Sequence, residues 1–140
     1  MRLVLNTGVI VAALRSPRGA SAALLRAIRQ GRATMLLGTA LLLEYEAVCR
    51  REEHRIAAGL ALADVDTFLD GLAVLAEPVA VHFLWRPQLR DPGDEMVLEA
   101  AVNGQARAII AFNHRDYGDA PSRFGVSLLL PAEAIRRLEG

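Results

Sequence analysis

The sequence predicts an α/β protein: a three-layer α/β/α sandwich in one domain over residues 1–140, with a mostly parallel sheet of about five strands. Two observations predict it. Short apolar runs bounded by turn residues alternate with longer segments of helical spacing, and crossovers of ten or more residues force neighbouring strands to run parallel. The chain is also the right size, since a 140-residue domain buries about two-thirds of the surface its unfolded chain exposes.

The first strand is expected at residues 2–6, an apolar run ending in Asn6-Thr7-Gly8. A helix follows over 20–30, where Leu24, Leu25 and Ile28 share a face. The second strand covers 33–37 and leads through Gly38 into a helix over 39–51, carrying Leu41, Tyr45 and Val48 on one side. Residues 50–59 are charged and turn-like, which predicts a helix break or a mobile arm. Leu62, Val65, Leu69 and Leu72 mark the helix of 61–77, and a third strand is expected at 79–83. Val97, Leu98 and Ala101 mark a helix over 94–103; strands four and five fall at 108–112 and 126–130, and a last helix starts after Pro131.

Composition removes several chemistries. All 16 basic side chains are arginine, so mechanisms that require lysine at a phosphate or a carbonyl are excluded, P-loop and Schiff-base enzymes among them. The 16 acidic residues balance them, which argues against a polycation coating nucleic acid through bulk charge. Cys49 is the single cysteine; it suits a reducing compartment and excludes a disulfide framework. No run approaches the length of a membrane span and none reads as a signal peptide, so the expected location is cytoplasmic, with no membrane partner. A hydrophobic share of 53% sits slightly above the usual range and hints at an interface.

In a parallel sheet the place to look for chemistry is just beyond the carboxyl ends of the strands. Asp94 opens a helix with Leu98 and Ala101 at i+4 and i+7, which turns its carboxylate inward. The plain alternative is a capping box, with Asp91 as N-cap, Pro92 in the first turn and Asp94 reaching back to a backbone N–H. Glu44 lies on the apolar ridge of its helix between Leu41 and Val48, or is simply a flank charge paired with an arginine. Asp116 follows strand four in a polar turn, where an Asx-type turn is the competing account. Acids at the ends of different elements can converge and hold Mg2+ or Mn2+, cations that take carboxylate oxygens and keep positions open for water and phosphate. His54, His82 and His114 show no ligand spacing.

Taken together, the run Leu3 to Leu14 with Ser16-Pro17-Arg18-Gly19, the Glu44-Tyr45 helix, Arg90-Asp91-Pro92-Gly93-Asp94-Glu95 and Ile109 to Tyr117 resemble PIN domains. More narrowly, they resemble bacterial PIN proteins of toxin-antitoxin systems. The resemblance covers nearly the whole chain, and the order and spacing of its four motifs make it specific. It implies a metal-dependent endoribonuclease in which Glu44, Asp94 and Asp116 match family acids and Asn113 a polar residue after strand four. It also implies a cognate antitoxin, an RNA substrate and a homodimer, to which the apolar stripe of 61–75 would contribute.

The chain departs from the family at the first acid. Members usually end strand one in Asp-Thr-Asn, and here the triplet is Asn6-Thr7-Gly8. An amide oxygen brings no negative charge, so Asn6 weakens the hold on a divalent ion, and Gly8 removes a supporting side chain. The site is therefore expected to be weakened or silent, by nature or by alteration of a toxic nuclease. Thr7 keeps a hydroxyl to orient a ligand or to cap the strand. Arginine forks suit an RNA backbone, and the candidates are Arg15, Arg18, Arg86, Arg90 and Arg115, each also readable as a solvated surface charge. Trp85 could stack a base or fill a core gap.

Overall fold

The computed structural model describes residues 1–81 and 88–140. Its chain order is β1 (Arg2–Leu5), α1 (Thr7–Arg15), α2 (Ala20–Arg29), β2 (Thr34–Leu37), α3 (Thr39–Cys49), α4 (Glu52–Ala58), α5 (Leu62–Leu75), β3 (Glu77–Pro78), α6 (Pro92–Asn103), β4 (Ala108–Ile110), α7 (His114–Tyr117), α8 (Ala120–Arg123), β5 (Ser127–Leu129) and α9 (Pro131–Glu139). The five strands form one sheet in the order β3-β2-β1-β4-β5, and every pairing is parallel. This is the three-layer α/β sandwich that the alternation of strands and helices demands.

β1 lies at the centre because Leu3, Val4 and Leu5 are apolar in succession, which suits a strand covered on both faces. Leu3 pairs with both Met35 and Ala108, and Leu5 with Ile110. The chain first builds outward from one side of β1 through β2 and β3, then returns to place β4 and β5 on the other side. The strand order therefore reverses between β1 and β4. A crevice opens at such a reversal beyond the carboxyl ends of the strands, and here it is flanked by Asn6 after β1 and Asn113 after β4.

Packing holds that crevice rigid. α6 lies on β1, β2 and β4, α3 packs between α1 and α6, and α2 packs against α1 and α9. Tyr45 and Tyr117 are the largest side chains fully enclosed in the core. The Tyr45 hydroxyl donates to the Leu5 carbonyl and so ties α3 to the last residue of β1. At the opposite end of the sheet, Arg2 donates to the Gly104 carbonyl at 2.8 Å and to Glu77 at 2.7 Å.

Three segments differ from the sequence reading. Residues 50–59 are not a mobile arm: Glu52 and Glu53 occupy the first turn of α4, where acids are favoured by the helix dipole, and Gly59 ends it in the left-handed region at φ 70°. The segment after Asn6 is helical at once, although Val9, Ile10 and Val11 have strand propensity, because Asn6 caps α1 through its side chain. The third strand begins earlier than expected, since α5 stops at Leu75 and Glu77 pairs with Leu36. Pro78 is tolerated there because β3 is an edge strand. Val79 continues the ladder with its N–H donated to Leu37. The remainder of the expected strand lies outside the described residues, as do His82, Trp85 and Arg86.

Candidate functional site

A cleft of about 300 Å³ opens at the reversal point, lined by Asn6, Thr7, Glu44, Asp91, Gly93 and Asp94 among others. α6 delivers Asp94 to it by a tight local device. Asp91 is the N-cap and accepts from the Gly93 N–H at 2.7 Å and the Asp94 N–H at 3.1 Å, while Pro92 pre-sets the first helical residue. With the cap supplied by Asp91, the Asp94 side chain is free to cross to β1 rather than turn back onto its own helix. The capping-box alternative is thereby settled against Asp94 and in favour of Asp91.

Asp94 is 6% exposed and Asn6 is 8% exposed. The Asn6 amide nitrogen donates to Asp94 Oδ1 at 2.9 Å and to the Tyr117 hydroxyl at 2.7 Å. Its oxygen accepts from the Gly8 N–H at 2.8 Å. These partners fix which way the amide faces. Rotated by half a turn, its NH2 would oppose the Gly8 N–H and its oxygen would oppose the Asp94 carboxylate, losing a helix cap and gaining a repulsion.

The Asn113 amide nitrogen reaches both oxygens of Asp94 at 3.2 Å and Asp116 Oδ2 at 3.2 Å. Asp94 is thus held between two amides, one from each of the paired strands β1 and β4. Asp116 is exposed and joins the group through Asn113, facing a second groove of about 510 Å³. Burial pushes the Tyr117 hydroxyl well above its ordinary pKa, the Asn6 N–H acting in the opposite direction and the Asp94 charge adding to the rise. Tyr117 therefore stays protonated beside the acid.

Glu44 is half-buried, and neither a hydrogen bond nor an ion pair joins it to another described residue. It is not the arginine-paired flank charge that the sequence also allowed. Its carboxylate sits against the first turn of α6, where a Cβ added at Gly93 would lie 3.3 Å from Glu44 Oε1 and 3.0 Å from Asp91 Oδ1. Gly93 thus lets the α3 acid close on the α6 acids.

The arginines divide. Arg90 and Arg115 line the second groove together with Arg123, and Asp91 borders both hollows. Arg15 points back to the cleft wall, with its guanidinium 3.4 Å from His54 Nδ1. Arg18 is exposed and is not among the residues lining the cleft.

Sequence reasoning gave no role to His54, Glu95 or Arg123. His54 lines the cleft because α4 is a helix and not an arm. Glu95 is buried and accepts from the backbone N–H groups of Gln88 and Leu89, at 3.1 and 2.9 Å, which anchors the chain entering α6. An acid directly after an acid at a helix start was the available signal for Glu95; nothing local marked the other two.

The oxygen chemistry of Glu44, Asp94 and Asp116 suits a hard cation. The first position does not: Asn6 turns N–H toward Asp94 and spends its oxygen on Gly8. Among the described residues, no three of His, Cys, Asp and Glu come together closely enough to hold a metal ion. The residues therefore do not fit a tightly bound divalent ion.

The PIN domain family matches residues 2–115 of this chain. No curated protein matches it. Among solved structures, it is similar to the crystal structure of VapBC2 from Rickettsia felis bound to a DNA fragment from their promoter. That likeness has a TM-score of 0.60 at 14% identity, covering 91% of this chain and 97% of the other. Similarity at that identity speaks to the fold, and the family match carries the assignment: this chain belongs to the PIN domain family.

Proposed function

We propose that this chain is the PIN-domain toxin of a toxin-antitoxin module, an endoribonuclease whose cleavage centre is weakened or silenced at Asn6. The observation that carries the reading is the convergence of Glu44, Asp94 and, through Asn113, Asp116 at the strand-order reversal. Mg2+ or Mn2+ is the cation these acids would hold, weakly; when bound, it would neutralise a phosphodiester and acidify a water molecule. Arg90, Arg115 and Arg123 in the adjoining groove suit an RNA backbone. The likeness to a VapBC2 complex supports an antitoxin as the protein partner. The module acts in the cytoplasm, and the chain self-associates as a homodimer.

A second reading is favoured by one specific contact. With the Asn6 N–H occupying Asp94, the chain works as a cleavage-silent PIN domain that binds or assembles. Cleavage of a mixed-sequence RNA with Mn2+ or Mg2+ separates the two, comparing this chain with Asn6→Asp/Gly8→Asn and with Asp94→Ala in that background. Cutting by the restored variant, lost on Asp94→Ala, supports the nuclease reading. An inert but folded restored variant overturns it and leaves the binding module.

A further inference from the structure

Away from the acidic cleft, an apolar hollow of about 510 Å³ lies between α2 and α5, with Leu25, Phe68 and Leu72 in its lining. Three features on its border have no explanation within one chain. The first is Gly71, in the middle of α5. Its backbone is not in the left-handed region, and a Cβ added there would meet nothing within 4 Å. Glycine weakens a helix interior relative to alanine, so a glycine that its own fold does not require points to a close approach from outside.

The second is Val74, which is 87% exposed one turn beyond Asp70 on the same helix. The third is charge. Arg26 and Arg29 border the hollow from α2, and Asp70 is exposed beside Gly71. Neither Asp70 nor Arg29 has an ion pair or hydrogen-bond partner among the described residues. The hollow thus calls for a helix bearing a small apolar knob and an acid one turn apart. α5 itself bears that ridge, in Asp70 and Val74.

We infer that the α2–α5 hollow is a self-association face whose occupant is α5 of a second copy of this chain, the two helices crossing at Gly71. Each Val74 enters the other copy's hollow and each Asp70 meets the other copy's Arg29, as an isologous two-fold contact requires. Glycine at the crossing lets the helix axes approach closely. The inference rests on the self-association part of the proposed function and on none of its nuclease chemistry.

The test is the mass of the full chain by light scattering and sedimentation across micromolar concentrations. The chain is expected to be dimeric, and Val74→Arg to raise the dissociation constant by about tenfold or more. Asp70→Arg should weaken the dimer, and adding Arg29→Asp should restore it. Gly71→Ala is the sharpest arm. It should weaken association while raising the melting temperature of the Val74→Arg monomer, whereas a residue with a purely internal role would move only the second. Circular dichroism establishes that each variant is folded. A monomeric wild-type chain overturns both the self-association reading and this face, leaving the hollow to a different protein. A dimer unaffected by Val74→Arg and by the Asp70→Arg and Arg29→Asp exchange overturns this face alone.

Discussion

Asn6 donates to Asp94 at 2.9 Å across 88 positions of sequence. The amide nitrogen stands against the carboxylate oxygen where an acid in its place would need a cation between them. Asp94 consequently has its negative charge answered by Asn6 and Asn113, without an ion.

Replacing that amide should convert a self-satisfied pair into a cation-dependent one. Asn6→Asp removes the donor to a carboxylate only 6% exposed and sets a like charge beside it, so in EDTA the variant should lose about 2 kcal/mol of stability. Mn2+ at about a hundred times its dissociation constant should return a similar amount, while the parent chain responds less. Thermal unfolding with and without the ion measures both. Equal stability of the two chains in EDTA would show that the amide contact does not stabilise Asp94.

Glu95 should matter to the entry of α6 rather than to the cleft. Its carboxylate accepts from the backbone of Gln88 and Leu89, and Glu95→Ala leaves those N–H groups without that acceptor, at about 1–3 kcal/mol. Glu95→Gln keeps an oxygen and should lose less. Urea unfolding gives the size, and faster hydrogen exchange at the two amides gives the place. Unchanged exchange there would refute the anchoring role.

Alkaline pH should unfold the protein through its buried hydroxyls and thiol. Burial raises the Cys49 thiol from 9.0 to about 11 and drives Tyr45 and Tyr117 upward as well, desolvation being the largest cause in each. A raised folded pKa means that the neutral form is favoured in the native state. The stabilisation is complete below the unfolded values and is lost as pH climbs through the folded ones. For Cys49 the window runs from pH 9.0 to about 11. The urea midpoint should hold steady to pH 9.0 and then fall. Alkylation of native Cys49 at pH 8 as fast as in an unfolded peptide would contradict the burial it rests on.

Much of the fold was legible because burial imposes periodicity: the continuous apolar runs around Leu3–Leu5 and Ala108–Ile110 could only be strands of a covered parallel sheet. Asp94 was legible too, from its phase relative to Leu98 and Ala101. Other elements were hidden because their cause is a single local group. α1 depends on the Asn6 cap and α4 on Gly59, and neither overrides the propensity of its neighbours in a pattern count. β3 is two residues paired only because β2 is there to pair with.

The sequence by itself determined the α/β class, the acids available and the exchange of an acid for an amide at position 6, since these follow from side-chain type and spacing. Only the tertiary structure decided what that amide does. An asparagine can present oxygen or nitrogen to a neighbour, and the choice belongs to groups far apart in the chain: Gly8 claims the oxygen, and Asp94 and Tyr117 claim the nitrogen.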